Sequence, residues 1–412
     1  EYMDQDLLKK LQEEIFINTQ NLIDEFGPRL AGSDSDLKAS DKLYTIMSDA
    51  FDEAHQESFY VYQNAFLGWI RILVVSYILA IGFLWLKLYL ISFGILFLGL
   101  MILIIQFFLY LPLLDKLYPK KEAKNVYGFV EPKGEIKKQV IISGHHDSAR
   151  IFNFFIHQPK LYNFRTTGSI VVVIIALLSS LALAIFRNQN WLHLAISIGL
   201  SFLFLLVGQM WFFASKKGTP GAGDNLVAVF NAIAIGKYFK ENPLEHTRLI
   251  ITSFDAEEEG LRGARDFAKK HFHELKKIPT ILLNQDCLYD EAELFLLTSD
   301  LNDFVDLDLK LAKEVSEVSK HLGIHLPLKP LAFLTGGTDA AELQKIGIPS
   351  LSIIGMPWSN SNRNLSYHTM SDTLDKVSPE VIKDVLNIFM TYIKEQDQNI
   401  LISTNESAYE RD

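Results

Sequence analysis

The sequence has one cysteine and carries no surplus of basic charge. Cys287 cannot form an intramolecular disulfide, and a single thiol excludes a thiolate metal cluster. The formal net charge of −10 and the pI near 5.6 argue against a nucleic-acid partner, because such a partner requires a basic surface. The first residues lack a basic segment followed by a short apolar run, so no signal peptide is expected.

Long apolar runs are what the sequence does have. Hydrophobic residues make up 49% of the chain, the mean hydropathy is +0.15, and the apolar residues are concentrated in four blocks. The blocks cover residues 66–86, 88–114, 168–186 and 191–214, and each is long enough to cross a bilayer. Buried core helices, the alternative, are normally shorter and have a polar face. The short joints at Lys87 and at residues 187–190 predict two transmembrane hairpins.

Basic residues near the ends of the four blocks are distributed unequally. Lys87 and Arg187 lie at the two short joints. Nine others flank the blocks on the side of the long polar segments: Arg71, Lys116, Lys120, Lys121, Lys124, Lys160, Arg165, Lys216 and Lys217. Because Lys and Arg are enriched on the cytoplasmic side of a membrane, we expect a multi-pass membrane protein whose polar part is cytoplasmic.

Outside the apolar blocks, helix and strand patterns alternate. Helices are predicted at 7–26 and 40–54, and strands at 126–130 and 139–143. Further along the chain, predicted helices and strands alternate. The helices are 225–239, 260–271, 303–321, 339–346 and one beginning at Pro379, and the strands are 248–254, 280–284, 294–297 and 350–354. This pattern is typical of an α/β fold with a mostly parallel sheet. Residues 396–412 are polar and are predicted to be disordered.

Side chains that bind metal ions recur just beyond the apolar strands and at the start of one helix. They are His145, Asp147, Asp224, Glu257, Glu258, Asp286 and His368. The carboxyl ends of strands line the ligand crevice of an open α/β sheet, so we expect these groups to converge there. Imidazole and carboxylate ligands suit zinc or a similar divalent ion.

Five short motifs surround these residues. In chain order they are Gly144-His145-His146-Asp147-Ser148, Gly223-Asp224-Asn225, Ala256-Glu257-Glu258-Glu259-Gly260-Leu261-Arg262-Gly263, Asn284-Gln285-Asp286 and Tyr367-His368-Thr369-Met370-Ser371-Asp372-Thr373. In kind and order they resemble those of the co-catalytic two-zinc aminopeptidases of metallopeptidase family twenty-eight. The resemblance covers about residues 7–393 without the hairpins, and the motifs are specific as a set.

The resemblance implies a site with two zinc ions, or two other divalent ions. One ion is held by His145, Asp224 and Asp286, and the other by Asp224, Glu258 and His368. Asp224 then bridges a pair of ions about 3.5 to 4 Å apart.

The resemblance also assigns two residues that are not ligands. Asp147 orients the ring of His145. Glu257 is the general base that takes a proton from a water activated by the ions and passes it to the leaving amine. His146 is interpreted as a neighbour rather than a ligand, and Cys287 as a small buried side chain.

The predicted fold is therefore an α/β zinc-peptidase fold, with a mostly parallel mixed sheet flanked by helices, into which four transmembrane helices are inserted as two hairpins. The peptidase domain would comprise residues 1–65, 115–167 and 215–395, hairpins 66–114 and 168–214, and a polar tail 396–412. The expected partners are a peptide substrate and the lipid bilayer. The sequence leaves open whether the protein forms a homo-oligomer.

The predicted activity is that of a membrane-bound aminopeptidase. The alternatives are a carboxypeptidase or glutaminyl cyclase on the same fold, and a non-catalytic membrane scaffold, which the complete ligand set disfavours. Two departures from the family stand out. Ala340 replaces a frequent histidine after Asp339, which could either assist the site or cap a helix, and the loop 356–366 contains Arg363, which could bind a substrate carboxylate or be a solvated loop residue.

Overall fold

A computed structural model describes residues 3–359 and 361–409. Its strands are β1 (Glu53–Tyr62), β2 (Lys120–Val130), β3 (Lys138–His145), β4 (Arg150–Phe152), β5 (Ala214–Gly218), β6 (Thr247–Phe254), β7 (Thr280–Leu288), β8 (Leu294–Leu297), β9 (Ser299–Asp300), β10 (Val305–Asp306), β11 (Leu328–Lys329) and β12 (Ser350–Gly355). Its helices are α1 (Gln5–Phe26), α2 (Asp34–Ala50), α3 (Gly68–Trp85), α4 (Tyr89–Leu103), α5 (Asn153–Ile156), α6 (Tyr162–Ile185), α7 (Asn190–Gly208), α8 (Val227–Glu241), α9 (Arg262–Lys277), α10 (Leu309–His321), α11 (Ala340–Lys345) and α12 (Pro379–Tyr409).

The chain forms two compact units. The sheet unit comprises Glu1–Val61, Lys121–Arg150 and Lys217–Asp412. The helical unit comprises Tyr62–Lys120 and Ile151–Lys216. Both parts of the helical unit are thus insertions into the sequence of the sheet unit.

The sheet unit is built on an eight-stranded sheet with the strand order β1-β2-β6-β3-β7-β12-β8-β11. Strand β3 runs parallel to β6 and β7, and β12 runs parallel to β7. Strand β2 is antiparallel to β6, and β8 is antiparallel to β12. Helix α8 packs along β3 and β6, α11 along β12, and α12 along β7. This arrangement confirms the predicted α/β fold with a mostly parallel mixed sheet flanked by helices.

The central strands are buried on both faces. Val140, Ile141, Ile142, Leu249 and Ile251 are each 0% exposed. Continuous apolar runs of this kind are typical of parallel strands covered by helices on both sides. Polar residues at the ends of these strands are therefore held by a rigid scaffold.

The helical unit contains four helices that are long and apolar enough to cross a membrane. They cover Gly68–Trp85, Tyr89–Phe108, Pro159–Ile185 and Asn190–Phe212. Many large apolar side chains point outward, including Leu178 (58% exposed), Phe202 (71%) and Leu205 (76%). Such an apolar outer surface suits contact with lipid, whereas a soluble protein rarely exposes so much of it.

The second of these helices ends at Phe108, six residues before the end of the predicted apolar span 88–114. Gln106 is fully buried near this end. Its amide nitrogen donates to Asp115 Oδ1 (3.0 Å), and its amide oxygen accepts from the backbone N–H of Leu114 (3.0 Å). These bonds replace helical ones, so the chain can leave the helix although the sequence stays apolar.

The predicted helix at residues 40–54 is partly wrong. Helix α2 begins at Asp34 and ends at Ala50, and Glu53 and Ala54 belong to β1, which the sequence analysis did not predict. Ser33 caps α2 because its side chain accepts a hydrogen bond from Asp36 N. A serine before an acidic first turn is a signal for a helix start, and it places the start earlier than the apolar spacing alone.

The predicted disorder of residues 396–412 is also wrong for the described part of that segment, because α12 continues to Tyr409. Residues 410–412 lie outside the described residues. The side chain of Asp397 accepts hydrogen bonds from the backbone N–H of Glu245 (2.7 Å) and His246 (2.9 Å) and from the hydroxyl of Thr247 (2.9 Å). This buried carboxylate attaches the polar end of α12 to the start of β6.

We expect Asp397→Ala to lower the free energy of unfolding of the sheet unit by about 2 to 3 kcal/mol, because it leaves buried donors without an acceptor. Chemical unfolding of the detergent-solubilised protein measures this change. Gln398→Ala is the matched control, since Gln398 is the exposed neighbour on the same helix. Equal stability of the two variants would contradict the anchoring role of Asp397.

Candidate metal centre

The seven predicted site residues come from five parts of the sheet unit. His145 is the last residue of β3, Asp286 lies near the end of β7, and Glu257 and Glu258 follow β6. Asp224 lies in an irregular turn just before α8, and the Asp224–Asn225 peptide bond is cis. His368 lies in the loop after β12, with a positive φ of 52°. The sheet therefore brings together residues that are more than 200 positions apart in the sequence.

Asp224 lies between the two histidines. Its Oδ1 atom is 3.2 Å from His145 Nε2, and its Oδ2 atom is 3.3 Å from His368 Nε2. The side chains of all three residues are buried, with exposed fractions of 1%, 2% and 5% for His145, Asp224 and His368. One carboxylate thus presents a separate oxygen atom to each imidazole, which is the arrangement required of a bridging ligand.

The remaining carboxylates are divided between the two imidazoles. Around His145 Nε2 lie Glu257 Oε2 (3.6 Å) and Asp286 Oδ1 (3.8 Å). Around His368 Nε2 lies Glu258 Oε2 (3.5 Å). The possible ligand atoms of His145, Glu257 and Asp286 all lie within 4.8 Å of one another, as do those of His145, Asp224 and Glu258.

Asp147 has two roles, of which the resemblance implied only one. Its Oδ1 atom is 3.2 Å from His145 Nδ1, which orients the ring. The same carboxylate also accepts from the backbone N–H groups of Glu257 and Glu258, both at 3.1 Å. Asp147 therefore fixes the position of the His145 ring relative to the loop that carries Glu257 and Glu258. The motif gave no signal for this second role.

Asp372 is a site residue to which the sequence analysis assigned no role. Its carboxylate accepts from the backbone N–H groups of Gly223 (2.9 Å) and Asp224 (3.2 Å). Asp372 thereby joins the loop that carries His368 to the turn that carries Asp224. Gly223 is required here because a Cβ atom at this position would lie 2.2 Å from the ring of Tyr289. The available signal was the position of Asp372 inside the last motif.

A chain of side-chain hydrogen bonds lies below the site, across three parallel strands. The hydroxyl of Ser143 on β3 donates to Asn284 Oδ1 on β7 (2.7 Å). The amide nitrogen of Asn284 donates in turn to Ser352 Oγ on β12 (3.0 Å). All three side chains are buried. Because buried polar groups are costly unless they are paired, this network fixes the register of the strands that carry the site.

The electrostatics of the centre are dominated by crowded carboxylates. Burial and the charge of Asp224 raise the pKa of Glu258 to about 8, and burial raises the pKa of Glu257 and of Asp286 above the ordinary range. Burial opposes a charged imidazole, but the carboxylates of Glu258 and Asp224 raise the pKa of His368 to about 9. A cation between these groups would relieve the repulsion among the carboxylates.

The side chains present fit a divalent metal ion. Two buried atoms that face the centre, His145 Nε2 and Asp224 Oδ2, make no hydrogen bond. Buried polar atoms are normally paired, so these two atoms are available as ligands. The donor set contains imidazole nitrogen and carboxylate oxygen, which suits zinc. His145, Asp224, Glu258, Asp286 and His368 would hold the metal.

The sequence model of peptidase family M28 matches residues 210–393 of the chain. Residues 210–393 therefore resemble peptidase family M28. The matched residues include Asp224, Glu257, Glu258, Asp286 and His368, and they begin after the motif with His145 and Asp147. The match confirms the resemblance predicted from the motifs and supports a metallopeptidase or a related enzyme. Comparison with the curated proteins gives no match.

Solved structures of glutaminyl cyclases, an exopeptidase and an aminopeptidase resemble the chain over most of its length. A glutaminyl cyclase from an Acidobacteriales bacterium has a TM-score of 0.56 at 15% identity, with 94% of this chain and 95% of that chain covered. A Zn-dependent exopeptidase from Parabacteroides distasonis has a TM-score of 0.56 at 13% identity, with 93% and 97% covered. An aminopeptidase from Aneurinibacillus has a TM-score of 0.55 at 14% identity, with 94% of each chain covered. At these identities the likeness shows the fold alone.

Three further residues discussed in the sequence analysis are Asp339, Cys287 and Arg363, and the structure shows their surroundings. Asp339 is 1% exposed, neither carboxylate oxygen makes a hydrogen bond, and burial raises its pKa well above the ordinary range, with His145 acting against the rise. Its side chain does not cap α11, so the capping alternative is wrong. Cys287 is buried, as predicted. The guanidinium of Arg363 lies over the ring of Tyr367, 5.4 Å from its centre, and donates to Thr335 O (3.3 Å).

Proposed function

We propose that the protein is a membrane-bound, zinc-dependent exopeptidase of the aminopeptidase type that uses two zinc ions. The observation that carries the proposal is the position of Asp224 between His145 and His368, at 3.2 and 3.3 Å. One carboxylate facing two imidazoles from opposite oxygen atoms suits two metal ions better than one. The ions would polarise the scissile carbonyl and lower the pKa of the attacking water.

The protein's own residues would position this chemistry and move the proton. Asp147 orients His145 and holds the backbone of Glu257 and Glu258, so the two glutamates keep different directions. Glu258 faces His368 and would complete the second metal site. Glu257, whose pKa burial raises, would accept a proton from the water and return it to the leaving amine.

The charge of the centre favours recognition of an amino terminus over a carboxyl terminus. Carboxylates of Glu257, Glu258 and Asp286 surround the two imidazoles. Two divalent ions would balance the charge of these carboxylates, so recognition of a substrate carboxylate would require a further basic side chain beside the site. The guanidinium of Arg363 is already engaged with Tyr367 and Thr335. These observations support an aminopeptidase over a carboxypeptidase.

A panel of short peptides tests the proposal. Purified, zinc-loaded protein is incubated with a free peptide, with the same peptide acetylated at its amino terminus, and with the same peptide amidated at its carboxyl terminus. We expect the free and amidated peptides to lose their first residue and the acetylated peptide to stay intact. Cleavage of the acetylated peptide from its carboxyl end would instead identify a carboxypeptidase.

Glutaminyl cyclase activity is the second candidate, because solved glutaminyl cyclases resemble the fold as closely as the peptidases do. A peptide that begins with glutamine distinguishes the two by mass spectrometry. A peptidase adds water and releases glutamine, whereas a cyclase removes ammonia and leaves the peptide chain uncut. A zinc-loaded protein that does neither would favour the non-catalytic scaffold.

We further propose that the sheet unit faces the cytoplasm, on the basis of the unequal distribution of basic residues. The test uses single cysteines at Glu135, an exposed position of the sheet unit, and at Asn188, an exposed position of the second joint. In intact cells, an impermeant thiol reagent should label Asn188→Cys and miss Glu135→Cys until the membrane is permeabilised. The native Cys287 is buried and gives little background. The reverse labelling pattern would overturn this orientation.

A further inference from the structure

A second cluster of metal-binding side chains lies in the sheet unit beside the candidate metal centre. It consists of Asp36 on α2, His146 just after β3, and Asp255 just after β6, and all three are 0% exposed. His146 Nε2 is 3.8 Å from Asp36 Oδ1 and 3.6 Å from Asp255 Oδ2. Possible ligand atoms of the three residues lie within 4.8 Å of one another. None of them belongs to the proposed catalytic site.

The distances from His146 Nε2 to the carboxylate oxygens of Asp36 and Asp255 are those expected between ligand atoms of one ion. Zinc bonds of about 2.0 to 2.2 Å at tetrahedral or wider angles place ligand atoms roughly 3.3 to 3.8 Å apart. The candidate catalytic centre shows the same spread, from 3.2 Å between His145 and Asp224 to 3.8 Å between His145 and Asp286. A direct hydrogen bond from an imidazole to a carboxylate would be shorter than 3.6 Å.

The orientation of His146 is an independent indication of a ligand. Its Nδ1 atom lies 2.7 Å from Ser253 Oγ, which fixes the ring so that Nε2 points at the two carboxylates. Neither His146 Nε2 nor Asp36 Oδ1 makes a hydrogen bond, although both atoms are buried. Histidines that bind metals usually have their second nitrogen held in this way, as His145 is held by Asp147.

The carboxylates of the cluster are also fixed in place. Asp36 Oδ2 accepts from Gly32 N (2.9 Å), and Asp255 accepts from Lys124 N (2.8 Å) and from Ala256 N (2.7 Å). Burial and the neighbouring charge of Asp255 raise the pKa of Asp36 well above its ordinary range. The guanidinium of Arg29 lies near Asp36, and a cation between Asp36 and Asp255 would relieve the repulsion between the two carboxylates.

We propose that Asp36, His146 and Asp255 bind a third divalent cation, of the class of Zn²⁺, that is structural rather than catalytic. The ion would join α2 to the ends of β3 and β6. It would therefore stabilise the loops from which His145, Glu257 and Glu258 extend. Because its ligands are fully buried, it should exchange more slowly than the ions of the candidate centre, where the side chain of Glu258 is 15% exposed.

The experiment counts zinc in the full-length, detergent-solubilised protein by mass spectrometry of the metal, before and during dialysis against a chelator. We expect three equivalents in the native protein, of which two leave early and one late. Asp36→Asn should contain two equivalents and lack the late phase. Asp34→Asn is the matched control, since Asp34 is exposed in the first turn of the same helix, and it should keep three.

Two further variants, Asp224→Ala and Ser253→Ala, keep the proposal testable if Asp36→Asn does not fold. Asp224→Ala should retain one equivalent that leaves late. If Asp36→Asn folds, the double variant Asp224→Ala with Asp36→Asn should retain none, which assigns the retained ion to the cluster. Ser253→Ala leaves all three ligands in place and should weaken the late ion by about 10- to 100-fold. A native protein with no late phase, a zinc-free Asp224→Ala, or an Asp36→Asn protein with the native zinc content would each overturn the proposal. None of these measurements depends on peptidase activity.

Discussion

Glu257→Gln should lower turnover by about 10²- to 10⁴-fold while the protein keeps its metal ions and its affinity for substrate. Glutamine has the size of glutamate and cannot accept the proton, so the variant removes the proposed base and little else. A missing general base costs about 10²- to 10⁴-fold in rate. Because Asp147 holds this loop through the backbone N–H groups, the position of the loop should not change. Zinc content, substrate affinity and turnover are measured on the same preparation.

Glu258→Gln is the matched comparison, since it makes the same chemical change one residue away. Glu258 Oε2 faces His368 at 3.5 Å, so its replacement removes a negative ligand of one ion. We expect weaker binding of one ion and a loss of activity that excess zinc partly restores. If Glu257→Gln sheds an ion while Glu258→Gln keeps both, the roles of the two glutamates are reversed. The comparison separates the two assignments because Glu257 also lies within reach of a metal bound by His145 and Asp286.

Asp224→Ala should remove both ions of the candidate centre at once and reduce turnover to that of the metal-free protein. The physical reason is that each imidazole faces a different oxygen of this one carboxylate. Metal content and turnover, measured beside those of the native protein, check the loss of the ions and the loss of activity.

Asp339→Asn is the control for this prediction. It also neutralises a buried carboxylate near the centre, but the proposal does not make Asp339 a ligand. This variant should keep both ions. Retention of two ions by Asp224→Ala would rule out the bridging role, and loss of an ion from Asp339→Asn would add Asp339 to the ligand set.

The sequence predicted which residues meet but not how they are held. Five motifs occur in a fixed order, each beyond an apolar strand or before a helix. They were sufficient to predict that His145, Asp224 and His368 lie close together. The second role of Asp147 and the role of Asp372 depend on backbone N–H groups, which every residue except proline possesses. A pattern of side-chain types contains no information about which N–H groups a carboxylate will meet.

The secondary structure was predictable where burial is uniform. It was less predictable where polar contacts determine where a helix or strand begins or ends. The central strands and α1 follow from apolar spacing. Strand β1 is mostly exposed or half-buried; its first two residues were assigned to a helix, and the rest was not predicted. The end of α12 looks polar in sequence, yet Asp397 is only 4% exposed because it binds the start of β6. Contacts between residues 152 positions apart leave no local signal.

The strand order of the main sheet also determines when the sheet unit can become complete during its synthesis. Strands β2 and β3 are both made before the second hairpin, but β6, which is made after it, lies between them. In a nascent chain β3 therefore lacks both of its neighbours, β6 and β7, until all four apolar helices have been translated. Because non-local strand pairing is slow and leaves strand edges exposed, synthesis of the second pair of apolar helices is the step on which assembly of the sheet unit depends.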